Sequence, residues 1–282
     1  MKKAVLGIVA AAAALTSYDQ NNRLTVSEYE FSFSTLPESF DGLRIVQLSD
    51  LHNKRFGKKQ ARLLERVAAL APDMIAVTGD LIDRRRTTLQ TALPAQELCI
   101  GAVWLAPVFY VPGNHEAKFQ EYPAFREQLM QLGVQVLENR TMHLSKRGAS
   151  ITIAGIADPD FFRTQKTHFR TQLFGMIPVN AGFTMLLSHR PEKLNDYGAA
   201  GADLVLAGHA HGGQIRLPAA GPVWVPSQGL FPPLAQGARR FGKTTMVISR
   251  GLGNSLFPQR VFNCPEIVCV TLRRNRKETG DF

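Results

Sequence analysis

The stretch LVLAGHAHGG, residues 204–213, decides the fold class of this chain. Its first four residues form a continuous apolar run, as expected of a strand that is covered on both faces of a parallel sheet. Glycines flank the pair His209 and His211 directly after this run. Open α/β sheets bind their ligands at the carboxyl ends of the strands. The stretch therefore predicts an α/β fold with a functional site at that edge of the sheet.

Four more strand-like runs end in the same manner. They are followed by the segments Ser49-Asp50-Leu51-His52, Gly79-Asp80, Gly113-Asn114-His115-Glu116 and Ser188-His189. Five strand ends therefore converge on one place and bring carboxylates, imidazoles and one carboxamide together. The other two histidines, His143 and His168, have no matching pattern of ligand residues, and we interpret them as structural.

The residue types at these strand ends are those of a site with two metal ions. Asp50 and His52 are two residues apart, so on an extended segment both side chains would point to one cation, and His209 and His211 repeat this spacing. The neighbouring glycines would let the backbone turn tightly beside a crowded ion. Nitrogen and oxygen ligands without thiolate suit Mn, Fe or Zn better than Ca or Cu(I). So many ligands exceed the needs of one tetrahedral ion and suit two ions about 3.5–4 Å apart.

The order Asp-x-His, Gly-Asp, Gly-Asn-His-Glu, His, Gly-His-x-His resembles that of the calcineurin-like metallophosphoesterases, from about Arg44 to Leu272. The extended segments SDLHN (49–53), GHAHGGQ (208–214) and SRGLG (249–253) are similar to one branch of that superfamily. The branch contains membrane-associated or exported bacterial phosphoesterases, among them a UDP-2,3-diacylglucosamine pyrophosphatase. The resemblance implies a single-domain, four-layer α/β/β/α sandwich with the metals at one edge of the sheets.

The resemblance also implies a role for each residue of the motifs. One ion would be held by Asp50, His52 and His211, the second by Asn114, His189 and His209, with Asp80 bridging the two. His115 would be the catalytic residue that protonates the leaving group or stabilises the phosphoryl transition state. Asp83, three residues after Asp80, is expected to orient an imidazole. The implied cofactors are two divalent ions, manganese first, with iron, zinc or magnesium as alternatives.

Basic residues follow two of the ligand segments, with Lys54, Arg55, Lys58 and Lys59 after His52, and Arg84–Arg86 after Asp80. We take Arg55, Arg84 and Arg85 as candidate substrate-binding residues, with a solvated helix start as the alternative. A second set of residues has helical spacing and either packs in the core or contacts lipid. This set is Phe162, Phe169, Leu173 and Ile177.

Composition limits the class of protein and its partners. With 45% hydrophobic and 20% charged residues in 282, the chain is neither disordered nor a multi-span membrane protein. Its 33 Lys and Arg against 23 Asp and Glu suggest an anionic partner, such as a phosphate ester, a lipid headgroup or nucleic acid. Three cysteines exclude a disulfide scaffold and a Cys-rich zinc module, and we predict buried free thiols.

The N-terminus has the pattern of a targeting segment. Lys2 and Lys3 precede the uncharged run Ala4–Ser17, which is shorter than the ~20 residues of a membrane-spanning helix. We expect a signal peptide or an uncleaved signal anchor over residues 1–20, with a buried N-terminal helix as the alternative. The body would then be secreted or held at the outward-facing membrane surface. We divide the rest into a lead-in segment (21–42), the phosphoesterase domain (43–272) and a basic flexible tail (273–282).

The favoured function is a dinuclear metal phosphoesterase that cleaves a phosphodiester or phosphomonoester by in-line attack of a metal-bridging hydroxide. Its substrate would be anionic and could be lipid-linked, and it would act at the membrane surface. The alternatives are a pyrophosphatase of a lipid-linked nucleotide sugar such as UDP-2,3-diacylglucosamine, a nuclease of the same fold, and a non-catalytic module. We expect no stable nucleic-acid partner, because no stacking aromatics interleave with the basic runs. The sequence implies no obligate protein partner.

Overall fold

The computed structural model describes residues 2–163, 168–178, 182–225, 227–255 and 257–275. The strands of these residues are Thr25–Phe33 (β1), Arg44–Leu48 (β2), Met74–Thr78 (β3), Val108–Val111 (β4), Gln135–Val136 (β5), Arg140–Lys146 (β6), Ala149–Gly155 (β7), Thr184–Leu187 (β8), Leu204–Ala207 (β9), Arg216–Leu217 (β10), Gly221–Pro222 (β11), Trp224–Val225 (β12), Gly229–Leu230 (β13), Gly237–Phe241 (β14), Thr244–Ile248 (β15) and Glu266–Arg274 (β16). The α-helices are Lys2–Asn22 (α1), Ala61–Ala69 (α2), Leu93–Ala102 (α3), Tyr122–Gln131 (α4), Phe169–Met176 (α5) and Leu194–Ala199 (α6).

Two six-stranded sheets form the centre of the fold. The first has the order β1-β16-β2-β3-β4-β5, and the second has the order β14-β15-β9-β8-β7-β6. Strands β2 to β5 run parallel, as do β15, β9, β8 and β7 in the second sheet. Strand β16 runs antiparallel to β2, and β14 and β6 are antiparallel edges of the second sheet. The α/β class predicted from the sequence is confirmed.

The sheets face each other across an apolar core, and helices cover their outer faces. Phe40, Ile45 and Met185 are among the buried residues between the sheets. A second cluster joins the first sheet to α2, α3 and α4, while a third joins the second sheet to α5 and α6. The near-continuous apolar sequences of the central strands follow from this burial on both faces. The layers therefore have the order α/β/β/α that the resemblance implied.

The apolar faces of the helices pack as core. Leu63 and Val67 of α2, which begins at Ala61 after a 3-10 turn at Lys58–Gln60, are fully buried. Pro123 stands in the first turn of α4, which begins at Tyr122, and proline is tolerated there. The apolar set around α5 is buried in the third cluster, so it packs in the core rather than against lipid: Phe162, Phe169, Leu173 and Ile177.

Strand β1 was not anticipated from the sequence. It lies within the segment 21–42 and pairs in parallel with β16 along its whole length. Most of its residues are exposed or half-buried, so it lacks the continuous apolar run by which the covered strands were recognised. Its inward residues Tyr29, Phe31 and Phe33 alternate with polar ones and pack between the sheets.

Further expectations concern the cysteines and the two ends of the chain. Cys99, Cys264 and Cys269 are buried free thiols, as predicted. Of the predicted tail 273–282, residues 276–282 lie outside the described residues. Within the part of the chain that the structure describes, no helix combines the length and apolar character needed to cross a membrane.

Candidate metal centre

The predicted ligands meet at the carboxyl ends of five parallel strands. Asp50 and His52 follow β2, Asp80 follows β3, and the other ligands follow the strands β4, β8 and β9. All of these side chains are buried apart from that of Asn114, which is half-buried. The two sheets thus contribute to one site, with β2, β3 and β4 from the first and β8 and β9 from the second.

The first group consists of Asp50, His52 and His211, which have one ligand atom each within 4.8 Å of one another. Nε2 of His52 lies 3.1 Å from Nε2 of His211, and Nε2 of His211 lies 3.3 Å from Oδ1 of Asp50. Nε2 of His52 is 3.9 Å from the same oxygen and 3.6 Å from Oδ2 of Asp80. The set is the one the resemblance assigned to one ion, with Asp80 on its border.

The second group contains Asp80, His189 and His209, again with ligand atoms within 4.8 Å of one another. Nε2 of His189 lies 3.3 Å from Oδ2 of Asp80 and 3.2 Å from Oδ1 of Asn114. Nδ1 of the same ring is 2.8 Å from the carbonyl oxygen of Thr78. Donation to this carbonyl leaves Nε2 free to accept, which is how a metal-binding histidine is normally oriented.

These separations fit the donors of two divalent ions. Ligand atoms at about 2.1 Å from one ion lie about 3.0–3.4 Å apart in octahedral or tetrahedral geometry. The closest pairs of the two groups are 3.1, 3.3, 3.3 and 3.2 Å apart. Oδ2 of Asp80 lies near rings of both groups, at 3.6 Å from Nε2 of His52 and 3.3 Å from Nε2 of His189. The residues present therefore fit a dinuclear site in which Asp80 is the shared ligand.

The backbone of these loops is not extended, contrary to the sequence-based prediction. Five of the seven predicted ligands have φ values between 47° and 67°, in the left-handed region: Asp50, His52, Asp80, His209 and His211. Residues other than glycine adopt this conformation at a cost, and such strain is common at functional sites. The side chains converge because the loops turn sharply after each strand, rather than because alternate residues of a strand share a face.

Glycines allow the loops to approach each other. A Cβ at Gly113 would lie 2.3 Å from Oδ1 of Asp80, and a Cβ at Gly208 would lie 2.6 Å from Oδ2 of Asp50. No side chain fits at such distances without moving a carboxylate. The glycines before Asn114 and His209 thus permit a close approach of neighbouring carboxylates, whereas the sequence had predicted a tight backbone turn at them.

Burial keeps three of the imidazoles neutral. It lowers the pKa of His52 to about 3 and holds the pKa values of His209 and His211 well below their ordinary range. A neutral imidazole offers a lone pair, which is the form that binds a metal ion.

A charged pair stands at the centre of the site. Burial alone would lower the pKa of His189, but the carboxylate of Asp80 outweighs it and raises this pKa to about 10. Burial would raise the pKa of Asp80, but His189 and His115 hold it well below its ordinary value. For Asp50, burial outweighs the opposing charge of His189 and raises the pKa of the carboxyl to about 6. Cations at this place would favour the ionised form of both carboxylates.

His115 lies beside His52 and Asp80, with which it forms a third group of possible ligands, and its Nδ1 faces a further carboxylate. Its Nδ1 is 3.4 Å from Oδ1 of Asp83 and 3.2 Å from the backbone nitrogen of Arg84. Its backbone N–H donates to Oδ1 of Asp80 at 2.9 Å. Burial would lower the pKa of His115, but Asp80 and Asp83 raise it above its ordinary value. Asp83 is thus in place to orient this ring and to favour its protonated form.

The candidate substrate-binding arginines are already paired within the protein. Arg55 makes two hydrogen bonds to the carboxylate of Glu97, at 2.9 and 3.0 Å. Arg85 makes two to Asp83, also at 2.9 and 3.0 Å. The side chain of Arg84 is exposed, and its backbone N–H faces Nδ1 of His115. The structure brings the loop Asp83–Arg85 to the site without placing a free guanidinium of Arg55 or Arg85 in it.

Two residues near the centre were not assigned these roles from the sequence. Glu116 is fully buried and accepts hydrogen bonds from the backbone N–H groups of Asp80, Gly113 and Ile82, at 2.9, 2.8 and 3.3 Å. It therefore joins the loops after β3 and β4, from the first turn of the 3-10 helix Glu116–Lys118. Its place in the Gly-Asn-His-Glu motif was the available signal.

The second such residue, Arg190, follows His189 and contacts His209. Its guanidinium donates to Asp158 at 2.5 and 3.2 Å, and its Nη1 lies 2.8 Å from Nε2 of His209. A guanidinium only donates, so this ring nitrogen accepts. Metal binding through Nε2 would need the same lone pair, and binding through Nδ1 would place a proton on Nε2. The contact must therefore loosen when His209 binds an ion.

A pocket of about 370 Å³ opens beside the centre. Polar residues of the metal centre form one side, while the other is mainly apolar and includes Ile215, Val223, Trp224 and Phe257. Trp224 and Phe257 are 50% and 45% exposed at the pocket rim. Trp224 of β12 pairs with Leu230 of β13, which is 69% exposed. An apolar surface thus continues outward from the metal centre along this hairpin.

Comparison with known proteins identifies relatives over nearly the whole chain. A family model described as "Calcineurin-like phosphoesterase" matches residues 43–213. The chain is 30% identical over 284 residues to "Uncharacterized metallophosphoesterase YkuE" of Bacillus subtilis, covering 93% of each. It is 30% identical over 266 residues to a bovine "Transmembrane protein with metallophosphoesterase domain", covering 88% of this chain and 57% of that protein.

A solved structure shows the same fold at low identity. It is described as "Termus thermophilus Sulfate thiohydrolase SoxB in complex with glycerol" and superposes with a TM-score of 0.50 at 14% identity. The match covers 84% of this chain and 57% of that one. At this identity the likeness concerns the arrangement of the sheets and helices alone.

Proposed function

The chain belongs to the calcineurin-like phosphoesterase family, whose members are metal-dependent hydrolases acting on phosphate esters, and on that premise we propose that it cleaves phosphate esters that carry an apolar group. The observation that carries the proposal is the position of the two ligand groups at the polar end of a pocket whose other side is mainly apolar. Phosphodiesters and phosphomonoesters both fit this arrangement.

The residues of the site would have different roles in hydrolysis. Two divalent ions, with manganese first among the candidates, would neutralise the phosphate charge and activate a water molecule. Asp50, His52 and His211 would hold one, Asn114, His189 and His209 the other, and Asp80 both. His115 borders the pocket and its pKa is raised, so it can hold a proton for the leaving oxygen. Asp83 stabilises that protonated ring.

The apolar side of the pocket supports a lipid-linked substrate. Val223, Trp224 and Phe257 would cover a hydrocarbon group whose ester phosphate reaches the metal centre. Leu230 and Phe231, which are 69% and 60% exposed, extend this surface toward solvent or a membrane. An exported, membrane-associated location agrees with the targeting pattern of residues 1–20. The bovine relative is described as a transmembrane protein, which supports the membrane association as well.

A pyrophosphatase of a lipid-linked nucleotide sugar is the second candidate, and one observation favours it. A further pocket of about 580 Å³ borders the centre at His52 and Asp83. It is lined by polar side chains that include Asn53, Arg55 and Arg86. A substrate with one apolar half and one polar half could use both pockets.

The test uses the full chain, stripped of metal and reloaded with manganese. Turnover of bis-p-nitrophenyl phosphate and p-nitrophenyl phosphate should depend on the metal and vanish in Asp80→Ala and His209→Ala. A p-nitrophenyl diester with a dodecyl group should exceed its methyl analogue in kcat/KM by tenfold or more, because each buried methylene contributes about 0.8 kcal/mol. Metal-dependent turnover that persists in both alanine variants would refute the site.

Two tryptophans provide a matched pair for the substrate class. Trp224→Ser should lower kcat/KM for the dodecyl diester by about tenfold and leave the methyl diester unchanged. Trp104→Ser is the control, since Trp104 is 87% exposed and does not line the pocket. Equal kcat/KM values for the two diesters would refute the apolar substrate, and faster cleavage of DNA than of either diester would favour a nuclease.

A further inference from the structure

The carboxyl-terminal turn of α1 docks on the body of the protein through polar contacts. Oδ1 of Asn21 accepts hydrogen bonds from Nδ2 of Asn254 at 2.7 Å and from the backbone N–H of Arg260 at 3.2 Å. Oε1 of Gln20 accepts from the backbone N–H of Asn263 at 3.2 Å. The last carbonyl groups of a helix have no partner within it, and here Lys54 donates to that of Asn21 and Arg62 to that of Asn22. Nε2 of Gln259 donates to the carbonyl oxygen of Ser17 at 3.1 Å.

The partners of this turn lie in residues 254–255 and 257–264, which we call the docking loop. A buried guanidinium organises this loop from within. Arg260 is fully buried and donates to Oδ1 of Asn254 and to the carbonyl oxygens of Arg250, Gly253 and Asn263, at 2.5–3.3 Å. Burial lowers the pKa of Arg260 to about 10, so the guanidinium still carries its charge near neutral pH. The four hydrogen bonds of this guanidinium thus link the residues that contact α1, which are Asn254, Gln259, Arg260 and Asn263.

The docking loop continues to the metal centre. Nδ2 of Asn263 donates to the carbonyl oxygen of His211 at 2.7 Å, and this contact is buried. Ser255 lines the pocket, with its Oγ 3.5 Å from Nε2 of His115. One loop thus contacts the backbone of a predicted ligand and the side chain of the predicted proton donor.

A second connection leads from α1 to the segment after β2. Nζ of Lys54, two residues after His52, donates to the carbonyl oxygen of Asn21. Asn21 therefore contacts both the docking loop and the loop that carries His52. The loop after β2 carries Asp50 and His52 of the first ligand group, and Asn263 of the docking loop contacts the backbone of the third member, His211.

We propose that Gln20 and Asn21 are positioning residues of the metal centre, which hold the docking loop and the loop of His52 in register from the end of α1. The inference rests on the dinuclear site of the proposed function. The N-terminal helix is then part of the site's support as well as a targeting segment. A chain cut on the carboxyl side of Asn22 loses these contacts and binds its ions less tightly.

The test measures metal affinity independently of turnover, by manganese titration of the full chain followed by electron paramagnetic resonance. The double variant Gln20→Ala/Asn21→Ala should bind manganese about tenfold more weakly, the loss expected when the groups that orient ligands are removed. Its kcat for bis-p-nitrophenyl phosphate should fall by a similar factor, with a smaller change in KM. Gln20→Glu and Asn21→Asp keep the accepting oxygens and should retain wild-type affinity.

Asn22→Ala is the matched control, because Nδ2 of Asn22 donates only within the helix, to the carbonyl oxygen of Tyr18 at 2.8 Å. Wild-type affinity in a folded double variant would overturn the inference, and so would an equal loss in Asn22→Ala. Circular dichroism establishes folding, and if the double variant is unfolded the two single alanine variants decide by the same criteria. Absence of manganese binding and turnover in the wild type would instead overturn the proposed function.

Discussion

Replacing Gly208 by alanine tests the architecture of the centre with a single methyl group. Gly208 stands between β9 and His209, and its Cβ would lie 2.0 Å from Oγ of Ser49, 2.6 Å from Oδ2 of Asp50 and 3.1 Å from the carbonyl oxygen of Thr78. To reach 3.4 Å, the lower limit of ordinary contact, the hydroxyl must move by about 1.4 Å and the carboxylate oxygen by about 0.8 Å. The methyl group therefore displaces a predicted ligand.

The size of the effect follows from these displacements. Oγ of Ser49 donates to Oδ2 of Asp50 at 2.6 Å, and the backbone N–H of His209 donates to both carboxylate oxygens at 3.2 and 3.1 Å. A misplacement of about 1 Å at a reacting centre costs about 100-fold in rate, and overpacking a core costs about 1–3 kcal/mol. We expect Gly208→Ala to lower manganese-dependent kcat/KM for bis-p-nitrophenyl phosphate by about 100-fold and to weaken manganese binding.

The control is Gly175→Ala, at a helical position of α5 where an added Cβ meets nothing within 4 Å. It should be neutral or stabilise the protein by about 0.5–1 kcal/mol, since alanine is the better helix former. The double variant Ser49→Ala/Gly208→Ala removes the closest clash and should recover part of the metal affinity. Wild-type turnover and manganese affinity in Gly208→Ala would refute the close packing of the strand ends.

Three further predictions concern metal, a buried carboxylate and pH. Restoring manganese at 1,000 times its Kd to metal-free protein should raise the free energy of unfolding by about 4 kcal/mol and Tm by about 10 °C in calorimetry, and an unchanged Tm would argue against a structured metal site. Glu116→Gln replaces an accepting oxygen by a donor opposite backbone amides, so it should cost about 2–4 kcal/mol in urea unfolding, whereas the exposed control Glu127→Gln should cost little. The pKa of Asp160 is lowered because the hydrogen bond from Lys118 and nearby arginines outweigh its burial, so its stabilisation is present above its ordinary pKa of about 3.9 and is lost as the pH falls below it. Asp160→Asn should therefore be less stable than wild type in urea at pH 7 and approach it at pH 3, and a gap that stays constant would contradict this pairing.

Much of the fold could be predicted because its central strands are covered on both faces. The runs at β4 and β9 are continuous in apolar and aromatic residues, and those at β2 and β3 are nearly so, with Gln47 and Thr78 as buried exceptions. A polar residue after each run marks the edge of the sheet. Edge strands lack such a continuous apolar run, because at least one of their faces is exposed and carries polar residues. For this reason β1 and β14 escaped prediction, although each pairs along its whole length.

The residues that meet at the site could be predicted from the sequence, but the backbone conformation of their loops could not. An extended backbone predicts that Asp50 and His52 share a face, whereas both have φ near +50°. The turn arises from contacts far along the chain, such as the N–H of Asp50 donating to the carbonyl oxygen of Gly79. Likewise, no local pattern indicated that Arg55 would be occupied by Glu97, 42 residues away.

Local patterns in the sequence are sufficient to predict the class of fold, the strand ends that meet at the site and the family of phosphoesterases to which the chain belongs. These follow from local patterns, since burial selects apolar residues and metal chemistry selects Asp, Asn and His at the ends of strands. Three features become apparent only in the folded chain: the pairs of loops that meet, the backbone amides that Glu116 binds, and the docking of the end of α1 beside the centre. Those features depend on hydrogen bonds between residues distant in sequence, such as Asn21 and Asn254, which form only when the chain is folded.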